Sequence, residues 1–99
     1  MNYISLIWVL KLMNELKEER EQIDNLNSQI ANLLLERKRL SEQIGNKKRQ
    51  LGIPVYDPHR EAVIFEDIKG AYNESEFNYL NPIFKTIIIT SRNVQLDSV

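Results

Sequence analysis

The chain has no cysteine, which excludes disulfides, thiolate metal sites and cysteine nucleophiles together. It has one histidine, His59, and a lone imidazole cannot by itself build a metal site. No HExxH pair, glycine-rich phosphate loop or GxSxG elbow is present, so neither a metal ligand nor a cofactor is expected. A formal net charge of -1 removes any overall bias toward nucleic acid. Long hydrophobic runs are also missing. The most apolar stretch, YISLIWVLKLM at 3–13, is broken by Lys11, far short of the ~20 residues a membrane-spanning helix needs. It carries neither a basic n-region nor a small-residue cleavage site, so it is expected to be an early turn of a helix in a cytoplasmic protein with no membrane partner.

What is present is helical patterning. The 99 residues suit one small domain spanning 1–99. Between residues 5 and 51 there is no proline, and only Gly45 weakens the helix, by about 1 kcal/mol relative to alanine. Gly52 and Pro54 then stop it, the glycine by taking a left-handed position and the proline by preventing continuation. At ~1.5 Å per residue this helix would be about 70 Å long, whereas a compact monomer of this size has a radius of gyration of only ~13 Å. The remaining residues cannot cover such a rod. It needs a second long helix, most simply from another copy of the chain.

A second helix is predicted to open with Asp57 as N-cap and Pro58 in its first turn, to turn Ala62, Ile64, Phe65 and Ile68 inward, and to stop near Gly70. Asn73 and Glu76 have the spacing of a capping box. The β-branched run Thr86-Ile87-Ile88-Ile89-Thr90 has strand propensity, yet Phe84, Ile88, Ser91 and Gln95 share one helical face. A helix is expected, because a strand there would find no ladder partner. Pro82 would then lie in its first turn, or kink it if it begins near Ser75. The fold class is therefore all-α: three helices, one very long, forming an intertwined homodimer.

The long helix carries a seam of Ile23, Leu26, Ile30, Leu33, Arg37, Leu40, Ile44 and Lys48, in steps of three or four. Two cations interrupt an otherwise apolar stripe. Desolvating a charge is expensive, so Arg37 and Lys48 require either an internal carboxylate or an anionic ligand. They lie ~16 Å apart on one face, within reach of a small anion by their long side chains. Arg20, ~42 Å from Lys48 along the helix, can join the same site only from the partner of an antiparallel pair, which implies two composite sites per dimer. Taken singly, Lys48 also reads as a helix C-terminal cation and Asp57 as a plain N-cap.

The ordered set of Leu16, Arg20-x-x-Ile23-Asp24, Leu34-Leu35-Glu36-Arg37, Ile44-Gly45-x-x-Lys48, Pro54-Val55-Tyr56-Asp57-Pro58-x-Arg60-Glu61 and Phe84-x-x-Ile87-Ile88-x-x-Ser91-x-x-x-Gln95 resembles the all-helical chorismate mutase family. The resemblance implies an intertwined three-helix dimer that converts chorismate to prephenate in aromatic amino acid biosynthesis. It also implies residue roles. Arg20 of the other chain, Arg37 and Arg60 would hold substrate carboxylates, and Lys48 and Gln95 would bond the ether oxygen. Glu61 and the Asp57 region would take the ring hydroxyl, and Ser91 would help seat the ring carboxylate.

Charge and chemistry agree with that expectation. Four cations (Arg20, Arg37, Lys48, Arg60) against two carboxylates (Asp57, Glu61) leave a surplus that matches a dianion. An intramolecular rearrangement needs no external nucleophile. A protein can accelerate it by holding the reactive conformer and donating to the oxygen that gains charge, with arginine forks for carboxylates and a lysine for the ether. Three residues depart from the family pattern: Asn27 stands where an acidic residue is common, Ser41 where a small apolar one is, and Arg92 where an aliphatic one is. Arg92 would either point to solvent or add a cation to the site. The rival readings are an isochorismate pyruvate-lyase of the same fold and a non-catalytic coiled-coil or nucleic-acid module using the basic stretch 37–49. The first is disfavoured by Asp57, Glu61 and Ser91, the second by cations lying on the apolar face with few aromatics interleaved.

Overall fold

The computed structural model describes the backbone of residues 3–97 and the side chains of residues 5–97. These residues form four α-helices and no strand: α1 (Tyr3–Glu15), α2 (Lys17–Leu51), α3 (Pro58–Ala71) and α4 (Glu74–Asp97). The single long first helix expected from the sequence is thus interrupted at Leu16. No proline, glycine or capping side chain occupies that position; the Leu16 carbonyl accepts from the Arg20 amide at 3.0 Å, so a fresh helical ladder begins there. No described helix is long and apolar enough to cross a membrane.

The chain divides into two units, Met1–Leu35 and Glu36–Val99. In the first, the seam residues Ile23, Leu26, Ile30 and Leu33 are 53–65% exposed, as are most apolar side chains of α1 to a similar degree.

The second unit holds the packing that builds a site. At the end of α2, Gly52 has φ +67, its amide donates to the Arg49 carbonyl at 3.2 Å, and the Ile53 amide donates to the Lys48 carbonyl at 3.0 Å. These two bonds satisfy carbonyls that the helix end would otherwise leave open, which is why glycine is needed there. Asp57 then caps α3, its carboxylate accepting from the Arg60 amide at 3.0 Å, with Pro58 in the first turn as expected. α3 packs on α4 through the half-buried stripe Glu61, Ile64, Phe65 and Ile68. Ala62, expected inward, is exposed, because it sits about 100° around the helix from that stripe.

Asn73 and Glu76 form the reciprocal capping box, with the Glu76 amide donating to Asn73 Oδ1 at 2.9 Å and the Asn73 amide to Glu76 Oε1 at 3.1 Å. α4 therefore starts early, and Pro82 lies in its interior. The helix runs on through the β-branched segment. Thr86 and Thr90 bond back to the carbonyls of Pro82 and Thr86, at 3.3 and 2.7 Å, which satisfies their hydroxyls within the helix. On α2 the residues turned toward α4 are the seam cations Arg37 and Lys48 together with Ser41 and Gly45, which lie one position beyond the seam residues Leu40 and Ile44. Ser41 and Ile88 are each only 5% exposed. Gly45 is required by closeness: a Cβ there would stand 2.8 Å from the Gln95 carbonyl oxygen and 2.9 Å from its Cα.

Candidate active site

That close approach at Gly45 brings the polar ends of three helices around one cavity of about 370 Å³. The volume suits a small organic ligand. Its polar wall consists of Arg37, Ser41 and Lys48 from α2, Asp57, Arg60 and Glu61 from the start of α3, and Ser91 and Gln95 from α4. Leu40, Ile44, Val55, Ile64 and Ile88 supply apolar surface. Seven of the eight residues singled out in the sequence thus meet at one cavity. The eighth, Arg20, lies in the first unit, beside a shallow depression lined by Met13, Asn14, Lys17, Glu21 and Asp24. A larger hollow is lined by Asn73, Glu74, Ser75 and Asn78, none of them cationic or apolar.

The polar groups are already bonded to one another. Arg37 Nη1 donates to Ser91 Oγ. Lys48 Nζ donates to Gln95 Oε1 at 3.0 Å and to the Val55 carbonyl at 2.7 Å. Because an ammonium only donates, the Gln95 amide must turn its oxygen toward Lys48, which leaves its NH2 as the group that can donate to a ligand. Two donors, Lys48 and Gln95, then converge from opposite helices. Burial, followed by the like charge of Arg60, holds the Arg37 guanidinium below its ordinary value. An anion placed between Arg37 and Arg60 relieves that repulsion.

The carboxylates differ. Asp57 lines the cavity while its side chain caps α3, so capping and a ligand contact are compatible. Glu61 is gripped by Arg92: Nη2 approaches Oε1 at 2.6 Å and Oε2 at 2.9 Å, and Nε approaches Oε2 at 3.1 Å. The guanidinium also lies over the Tyr56 ring, 4.4 Å from its centroid. Its proton affinity is raised above the ordinary value, first by the hydrogen bonds to Glu61, with burial opposing and the charges of Glu61 and Tyr56 adding. Arg92 thus neither points to solvent nor adds a free cation. Sequence reasoning had no route to this pairing, and none to the Val55 carbonyl, a group every residue carries. Among the described residues no cluster of histidine and carboxylate side chains could hold a metal ion.

Comparison with known proteins places these features in context. Residues 19–96 match the family described as chorismate mutase type II. A chorismate mutase from Methanocaldococcus jannaschii is 38% identical over 63 residues, 64% of this chain and 64% of that protein. A bifunctional chorismate mutase/prephenate dehydratase from Aquifex aeolicus is 45% identical over 56 residues, which are 57% of this chain but 16% of the relative. The chain therefore spans less than two thirds of the length of either relative. A solved structure of a conserved hypothetical protein from Pyrococcus furiosus superimposes with a TM-score of 0.69 at 30% identity, covering 82% of this chain and 95% of that one.

Proposed function

The chain belongs to the chorismate mutase type II family, and from that premise we propose that it rearranges chorismate to prephenate, as an isomerase. The observation that carries this reading is the convergence of Arg37, Lys48, Arg60, Ser91 and Gln95 with Asp57 and Glu61 on one cavity. Chorismate has two carboxylates and an ether oxygen that becomes more negative as its C–O bond breaks. Arg37 and Arg60 are suited to the carboxylates, and Lys48 with the Gln95 NH2 to the ether oxygen. Asp57 and Glu61 accept from the ring hydroxyl, and Ser91, bonded to Arg37, seats the ring carboxylate. The compact reactive conformer is held by the apolar wall, and no covalent intermediate is needed.

The catalytic unit in this reading is a homodimer in a cytoplasmic enzyme. Support comes from the exposed seam of α2 and from how little apolar surface is buried, Ile88, 5% exposed, being the one buried large apolar side chain among the described residues. A chain with so small a core is stabilised by burying the seam against a second copy. Arg20 of the partner subunit would then complete each cavity, with residues 1–99 acting as a single helical domain. The test is direct: purified protein is mixed with chorismate and its absorbance followed. Enzyme-dependent loss with appearance of prephenate supports the proposal, whereas pyruvate release from isochorismate without chorismate turnover would replace it with the lyase.

A further inference from the structure

Glu61 presents a problem for an anion-binding site. It lines the cavity, yet a carboxylate there repels the carboxylates of the ligand it is meant to serve. Without Arg92 the wall of this one chain has three cations, Arg37, Lys48 and Arg60, against Asp57 and Glu61. Arg92 does not line the cavity; it approaches Glu61 through the forked contacts described above, with side-chain exposures of 31% for Arg92 and 22% for Glu61. The Tyr56 ring stacks against the guanidinium, so the fork is held from both sides.

We infer that Arg92 is a positioning residue for the ligand, resting on the mutase reading: it fixes and neutralises Glu61, so that this carboxylate can accept from a ligand hydroxyl without repelling the ligand's carboxylates. With Glu61 cancelled by Arg92, Asp57 is the one carboxylate of the wall left without a forked cation, so the field that a dicarboxylate meets is more positive by one charge than the wall residues alone would make it. Within the fork Glu61 Oε2 accepts twice but Oε1 only once, so Oε1 keeps a lone pair with which a ligand hydroxyl finds an acceptor. The forked geometry also prevents Glu61 from swinging onto Arg60 and competing for the group that should bind substrate.

The decisive comparison is kinetic. In Arg92→Ala an uncompensated Glu61 should raise KM on the order of 10-fold while kcat changes by less than about threefold. Adding Glu61→Gln removes the charge but keeps an oxygen acceptor, so the double variant should return to the KM of Glu61→Gln alone. Arg92→Lys keeps the charge without the fork and should fall between Arg92→Ala and the unmodified protein. A merely structural tie between α3 and α4 predicts no recovery in the double variant, and that result, or an unchanged KM in Arg92→Ala, would overturn the inference. Should Arg92→Ala fail to fold, Arg92→Lys with and without Glu61→Gln carries the same comparison. An unmodified protein inactive on chorismate would instead overturn the mutase reading and this inference with it.

Discussion

Residues 1–35 and 36–99 use the same helical periodicity for different ends. In the first unit the seam of α2 is aliphatic and uncovered, with Ile23, Leu26, Ile30 and Leu33 more than half exposed. In the second, the residues turned inward on the same helix are Arg37, Ser41, Gly45 and Lys48, and the two cations among them bond Ser91 and Gln95 on α4 and the Val55 carbonyl of the following linker. The difference lies in side-chain size. Ser41 and Gly45 are small enough for α4 to come close, and the long cations that flank them, Arg37 and Lys48, line the cavity left beside that approach. Among its described residues the aliphatic half has no such partner within its own unit, and its surface is the one that the proposed dimer would bury.

The largest effects are expected in the polar half. Arg37→Ala should lower kcat/KM by on the order of 10³-fold, through loss of a forked carboxylate contact. Its apo melting temperature should be unchanged or higher, since burial and Arg60 both disfavour the Arg37 charge in the empty cavity. A clearly lower melting temperature would make Arg37 a structural residue and erase the contrast between the halves.

A charge placed in the aliphatic half should act through assembly. Ile30→Glu with Leu33→Glu should convert the proposed dimer to monomer in sedimentation and remove activity, although neither side chain lines the cavity. A monomer with full activity would show that the second unit works alone.

Gln95→Glu should lose on the order of 10²-fold or more at neutral pH and regain activity as pH falls. A carboxyl donates only when protonated, its unperturbed value is about 4.3, and the ammonium of Lys48 beside it favours the ionised form. Recovery therefore lies on the acid side; a variant with the unmodified pH profile would remove Gln95 from the ether contact.

Gly45→Ala tests the close approach that creates the contrast. The new methyl would press on Gln95 backbone, which cannot rotate away, so α4 must shift. A stability loss of about 1–3 kcal/mol is expected by thermal unfolding, with kcat reduced more than KM is raised. The smallest effect belongs to Asn73→Ala, which removes a cap far from the cavity chemistry: about 1 kcal/mol of stability and no change in kcat/KM.

Much of the second unit was legible in the sequence because its signals are local. Asp57-Pro58, the Asn73/Glu76 box and Gly52 each act within a few residues, and each does what its spacing implies. The site residues were legible as an ordered pattern, and seven of them share a cavity. The interruption at Leu16 carries no residue that marks it. The inward face of α3 was misjudged at Ala62 because an alanine is compatible with either side, and packing set the phase through Glu61, Ile64, Phe65 and Ile68. Arg92 stood out as a departure, but its partner lies 31 positions away, and only the folded chain brings the fork to Glu61.

The central claim, that the aliphatic half exists to bring Arg20 of one chain to the cavity of another, is tested most directly by mixing. Arg20→Ala and Lys48→Ala chains, each inactive alone, are combined under conditions that exchange subunits, and chorismate loss is followed. In an equal mixture half the dimers are mixed, each with one intact site, so about a quarter of the unmodified activity should return. No recovery despite demonstrated exchange would contradict the shared site.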